Sequence, residues 1–233
     1  MAEWVEPISV AIETTSRAGG VALGAGDAMI EAVPFDASRR AATQVLVYLD
    51  KLLARHDLAP RALDELYVTV GPGSFTGTRI AVTVARMLVR ALPGLRCVAV
   101  PSPRVVAEAA RADAAVEHLA VVLDARGGRI YAALFERVGE GFRPTTPPDV
   151  TTVDALLAST PRPLHVTGEG LGYHAVEGRG VIALEEALRL PTVGNTWAVG
   201  RRLAAEGRFT DPANLVPIYM GKPQAVRQWE RNQ

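Results

Sequence analysis

Cysteine is almost absent from this 233-residue chain. Cys97 alone cannot close an internal disulfide, and its largely apolar surroundings at 95–100 mark it as a buried structural thiol. Neither sign of charge prevails, with 25 Lys and Arg against 25 Asp and Glu. A chain that grips nucleic acid unaided generally shows a basic surplus, so the balance argues against such binding by this chain alone. Near-neutral charge also does little to keep copies apart. The four histidines, His56, His118, His165 and His174, stand singly, without metal-ligand spacing, so no metal site is expected. No apolar run reaches membrane-spanning length. The start carries Glu3, Trp4 and Glu6 in place of a basic leader, and the expected location is cytoplasmic.

What the chain does have is enough length for one large or two small domains, and 48% apolar residues. Its organising stretch is Gly71-Pro72-Gly73-Ser74-Phe75-Thr76-Gly77-Thr78-Arg79. Residues 66–70 before it read as a buried strand, and the apolar residues after it recur at helical spacing. A strand, a glycine-rich turn and a helix therefore follow one another. Three chemistries fail against its letters. A Walker A loop would end in Gly-Lys-Ser/Thr where this chain has Gly77-Thr78-Arg79. A nucleophile elbow would flank Ser74 with glycines where Pro72 and Thr76 stand. A dinucleotide fingerprint would place its third glycine one residue before Gly77. A structural turn capped by Ser74 and Thr76 remains.

The helix that follows carries Ile80, Val84, Met87 and Leu88 on one apolar face and Val82, Ala85 and Val89 on another. Arg79, Thr83, Arg86 and Arg90 form a polar stripe. Gly77, Ala81 and Ala85 make a ridge of small residues. Two apolar faces fit either a helix enclosed in one core or a helix shared with another chain.

Along the rest of the chain, strand 8–13 ends in Thr14-Thr15-Ser16, turns at Gly19-Gly20 and returns through 21–23, and a third strand covers 29–35. A first helix carries Val45, Leu46, Leu49 and Leu53. A strand at 97–100 stops at Pro101 and Pro103, and a short helix follows. The second half restarts the pattern: strand 119–123 ends at Asp124, turns through 125–128 and returns through 130–135. An acid at a strand end followed by a glycine turn occurs in both halves, at Glu13 and at Asp124. Residues 138–148 read as a loop. Gly168, Gly170 and Gly172 form a second glycine cluster. A helix capped by Asn195 or Thr196 runs to Gly207. The tail 222–233 is polar except for Val226 and Trp229.

The glycine-rich stretch and its helix resemble the signature of the TsaB (YeaZ) family. Val10-Ala11-Ile12-Glu13-Thr14-Thr15-Ser16 is similar to that family's opening strand, Leu123-Asp124-Ala125-Arg126 to its second hairpin, and Pro217-Ile218-Tyr219 to its closing segment. The resemblance implies an α/β chain of the duplicated actin/Hsp70/sugar-kinase (ASKHA) fold, with lobes at 1–104 and 105–233, the second smaller and degenerate. It implies a non-catalytic subunit that binds and activates the TsaD-type enzyme, which places threonylcarbamoyl on the adenosine 3′ of the tRNA anticodon. ATP and metal would belong to that enzyme, and no cofactor to this chain. A TsaE-type ATPase would complete the complex, the chain without its partner could be homodimer or monomer, and tRNA would be held only through the complex.

Catalytic relatives carry a histidine pair where this chain has Pro101-Ser102-Pro103-Arg104. Glu13 stands where the family has Asp, moving the charge outward by about 1.5 Å, enough to disturb phosphoryl-transfer geometry. Glu13 and Asp124 are candidates for ligand binding without turnover. The alternative function is a small ATP-dependent kinase or phosphotransferase of the same superfold. The expected partner surface comprises Gly77, Arg79, Ala81, Val82, Ala85, Val89, Leu46 and Leu49. On that expectation, Ala85→Arg blocks pairing and spares the fold.

Overall fold

The computed structural model describes residues 6–36 and 44–220; the tail at 222–233 lies outside them. Two mixed sheets carry the chain. In the first, β1 (Ile8–Glu13), β2 (Gly20–Ala25) and β3 (Ala28–Pro34) form an antiparallel meander. β4 (Glu65–Thr69) adds parallel to β1, and β5 (Arg96–Val100) parallel to β4, giving the order β3-β2-β1-β4-β5. In the second, β6 (His118–Asp124), β7 (Ile130–Val138) and β8 (Gly141–Pro144) repeat the meander. β10 (Leu164–Thr167) and β11 (Val181–Ala183) add in parallel, and β9 (Asp149–Thr151) pairs with β7. The same topology thus occurs twice. Glu13 and Asp124 occupy the same place in each copy, the last paired residue of the first strand, opposite Gly20 and Ile130.

The first sheet is covered on both faces, so its central strands β1 and β4 are buried along their whole length and do not alternate. Val10 and Ile12 of β1 face α1 (Val45–Arg55) and α2 (Phe75–Ala91), while Ala11 faces α5 (Val193–Ala205). α1 buries Val45, Leu49, Leu52 and Leu53, each worth about 1.5–3 kcal/mol on transfer from water. α2 enters from Ser74, whose Oγ accepts from Gly77 N at 3.2 Å; Thr76 is exposed and takes no part in the cap. On the opposite face Trp197 of α5 donates Nε1–H to Ser9 Oγ at 2.9 Å. Thr192 caps this helix, accepting from Asn195 N at 3.2 Å. Asn195 and Thr196 therefore lie inside the helix, which starts about one turn before the expected cap. α3 (Ser102–Glu108) covers one face of the second sheet, and α4 (Val153–Ser159) the other.

The division at 104/105 stands as a proposal for where the lobes part. The last helix of the second half nonetheless completes the layering of the first sheet. The chain then runs back along that sheet, with Thr210 N donating to Cys97 O at 2.7 Å and Ile218 N to Val70 O at 2.7 Å. The segment 138–148 is not wholly a loop. β7 extends to Val138 and turns into β8, short strands that glycine and proline disguise in the sequence. No helix among the described residues is long and apolar enough to cross a membrane.

Candidate functional site

The glycine-rich turn is filled by the protein's own backbone. A Cβ on Gly77 would stand 1.8 Å from Thr14 O, so only glycine lets the β1–β2 turn come this close. Thr14 Oγ1 donates to Gly77 O at 2.6 Å, and Ser74 N donates to Thr15 O at 2.8 Å. The start of α2 thus receives the Thr14–Thr15 turn where another protein of such architecture would leave room for an anion. Pro101–Arg104 opens α3, and Ser102 Oγ lies 3.2 Å from Thr15 Oγ1, tying that helix to the same knot.

Glu13 is the centre of the knot. It is fully buried, and its Oε1 accepts from Thr15 N at 2.5 Å, Thr15 Oγ1 at 2.6 Å and Ser16 N at 3.1 Å. Among the described residues its Oε2 has no hydrogen-bond partner. Burial raises its pKa, against the opposing pull of the Thr15 and Thr69 hydroxyls and the backbone. A folded-state pKa above the unfolded one means that the group's favourable contribution is complete below about pH 4.5, the unfolded value, and is lost as pH rises through the folded value. Glu13→Gln mimics the neutral form. Its melting temperature is expected to match the parent's at pH 4 and to exceed it at pH 8, at about 2–4 °C per kcal/mol. A melt series across that range checks this, and equal melting at pH 8 would overturn the buried, strained carboxylate.

Asp124 differs from its counterpart. It is partly exposed and holds His174 Nε2 at 2.9 Å and Arg126 N at 3.0 Å. Burial opposes its charge, but the His174 hydrogen bond and the Arg126 N–H outweigh it and keep the pKa low. Glu169 nearby is raised by burial and by the Asp124 charge, with Arg17 of the first lobe pulling the other way. Asp124 and His174 are thus joined by a hydrogen bond, with Glu169 and Arg17 close enough to act on one another electrostatically. His174 and Glu169 had no signal in the sequence, since they lie some 50 residues from Asp124 and join it only through the fold. The second glycine cluster is a packing device: a Cβ on Gly168 or Gly170 would strike Val122 O at 2.2 or 2.8 Å. Cys97 is buried, which pushes its thiol up to about 12, so it is unreactive at neutral pH.

The expected partner surface is only partly a surface. Gly77, Ala81, Val82 and Ala85 are buried against the first sheet, as is Leu49 of α1, and Val89 is half-buried. The small-residue ridge faces inward because it lets α2 lie close to its own sheet. Of the eight residues, Arg79 and Leu46 are exposed. The outward apolar side is formed by others: Leu46 and Val47 on α1, each 49% exposed, and Met87 on α2, 57% exposed, with Ile80 and Val84 half-buried beside it. Ile80, Val84 and Met87 fall at i, i+4 and i+7, one stripe along α2.

Two layered sheets of repeated topology, with acids at matching strand ends, define a two-lobed protein of the actin/Hsp70/sugar-kinase class. A family model described as TsaD, tRNA N6-adenosine threonylcarbamoyltransferase, matches residues 31–220. A Bacillus subtilis (strain 168) protein, tRNA threonylcarbamoyladenosine biosynthesis protein TsaB, is 26% identical over 229 residues, covering 96% of this chain and 98% of that one. The structure of YeaZ from Pseudomonas aeruginosa superposes with a TM-score of 0.77 at 24% identity, over 91% of this chain and 99% of that one. Another, described as similar to peptidase YeaZ from the same organism, gives 0.81 at 23% identity, over 92% and 100%. The chain belongs to the TsaD family, and within it to the TsaB (YeaZ) branch.

Proposed function

We propose that this chain is a non-catalytic subunit in the biosynthesis of N6-threonylcarbamoyladenosine in tRNA, one that binds and activates a TsaD-type enzyme. The observation that carries the reading is the pair of helices on one face of the first sheet with apolar residues turned outward, at Leu46, Val47 and Met87. Exposed apolar residues gathered on neighbouring elements mark interaction surfaces. The filled glycine turn supports the non-catalytic part, since the start of α2 is occupied by Thr14 and Thr15. The name of the Bacillus relative supplies the pathway. On this reading ATP and metal belong to the partner enzyme, a TsaE-type ATPase joins the complex, and the work is done in the cytoplasm. In the partner's absence the same apolar stripe pairs two copies of this chain.

The test is reconstitution with the TsaD-type enzyme from the same cell. Formation of threonylcarbamoyladenosine on tRNA is expected to rise at least ~10-fold when this chain is added, with co-elution of the two proteins. Full activity of the enzyme without this chain would overturn the proposal. The isolated chain is expected to show negligible ATPase activity, and turnover abolished by Glu13→Ala or Asp124→Ala would sink the non-catalytic reading.

A further inference from the structure

The chain is balanced in charge overall, but the balance is not local. Between Glu65 and Glu108 there is no Asp or Glu, and the interval holds Arg79, Arg86, Arg90, Arg96 and Arg104. Arg96 is neutralised by Glu65 at 2.7 Å. Arg79, Arg86 and Arg90 lie exposed on α2, and among the described residues none of them has a carboxylate partner. Elsewhere on this surface arginines such as Arg143 and Arg202 hold Glu136 and Glu108.

The spacing makes these arginines one stripe. At 100° per residue, Phe75, Arg79, Arg86 and Arg90 fall within about 60° of arc, and the Ile80/Val84/Met87 stripe is centred about a third of a turn away. α2 therefore shows the outside two parallel strips, one apolar and one cationic. The cationic strip extends about 16 Å from Arg79 to Arg90 at 1.5 Å per residue. Its N-terminal end carries aromatic groups. Phe75 is 55% exposed and Tyr219 is 42% exposed. Their rings stand 5.4 Å apart, tilted by 35°. The Arg79 guanidinium lies 3.8 Å over the Phe75 ring and donates Nε–H to Tyr219 Oη at 2.9 Å. These are flat, preorganised groups at the surface, beside cations that nothing in the described structure neutralises.

Resting on the function proposed above, we infer that this strip is an RNA contact: the Arg79/Arg86/Arg90 row takes successive phosphates of tRNA, and the Phe75–Arg79–Tyr219 group stacks an unpaired base. Single-stranded loops are recognised by such combinations of cationic tracks and stacking platforms. An acidic protein surface would match the arginines but would leave the exposed aromatic pair unused, so RNA is the occupant the observations favour. Three phosphate contacts are too few for tight binding unaided, which agrees with weak binding by the chain alone and firm binding once a partner adds its own contacts.

The experiment uses the complex of this chain with its TsaD-type enzyme and an unmodified tRNA. Two properties are measured separately: co-elution of the proteins, and tRNA affinity as a function of salt. For Arg86→Glu/Arg90→Glu the expected result is unchanged co-elution, tRNA affinity reduced at least ~10-fold near 0.1 M salt, and a log–log salt slope smaller by about two. For Phe75→Ala/Tyr219→Ala the expected result is weaker binding with the slope unchanged. Unchanged tRNA affinity in the arginine variant overturns the inference. So does loss of co-elution together with tRNA binding, which would make the strip a protein contact. If the parent chain does not assemble with the enzyme, the function proposed above fails by itself. The strip is then judged on the isolated chain at low salt, by photocrosslinking to the same tRNA. Crosslinks lost in the arginine variant uphold the inference, and their absence from the parent overturns it.

Discussion

Ala85→Arg should give no folded protein. Ala85 is fully buried in the core between α2 and the first sheet, with Ala81 in the same state and Val82 beside it. An arginine there has neither room nor a carboxylate. Forcing the larger side chain in costs about 1–3 kcal/mol in packing strain alone. Burying an unpaired charge adds several kcal/mol more, so together they consume most of the ~5–15 kcal/mol that holds a typical domain. Circular dichroism and a thermal melt on the soluble fraction decide it. A variant that melts like the parent would mean that α2 can lift from its sheet. This outcome reverses the expectation drawn from periodicity, in which the same substitution spared the fold.

Leu46→Asp with Met87→Asp should have the opposite profile. Both side chains are about half exposed, so their replacement removes little buried area, and the melting temperature should stay within about 3 °C of the parent. Binding to the TsaD-type enzyme should fall at least ~100-fold, since a charge facing an apolar partner costs about 2 kcal/mol or more at each central position. Calorimetric titration with the purified enzyme, beside the melt, gives both readouts. Folded protein with undiminished affinity would place the partner surface elsewhere.

Much of the fold was legible because its signals are local. The strand–turn–helix around 66–91, the two hairpins and the matched acids at Glu13 and Asp124 can all be read from short windows. Their recurrence is what shows the duplicated topology. The orientation of α2 was not legible. A helix apolar over most of its circumference does not announce which face meets its own sheet. The decisive fact, that a Cβ at Gly77 would stand 1.8 Å from Thr14 O, arises between segments 63 residues apart. For the same reason the face of Ile80 and Met87 could not be told from the face that meets the sheet. At Asp124 the strand-end acid was visible and its partner His174 was not, because no spacing rule links positions that the second sheet alone brings together. The strands β8, β9 and β11, three or four residues each, carry too few residues to show a period.

The placement of α5 has a consequence for how the molecule comes into being. Ala11, Ala22, Tyr67, Val98 and Val100 of the first sheet are covered by a helix that begins at Val193. The Ser9–Trp197 hydrogen bond spans 188 residues. During synthesis the first sheet therefore emerges with one apolar face bare and waits for nearly the whole chain to leave the ribosome. Such a nascent sheet needs shielding, and a ribosome that stalls before α5 leaves behind a sticky fragment with one covered side.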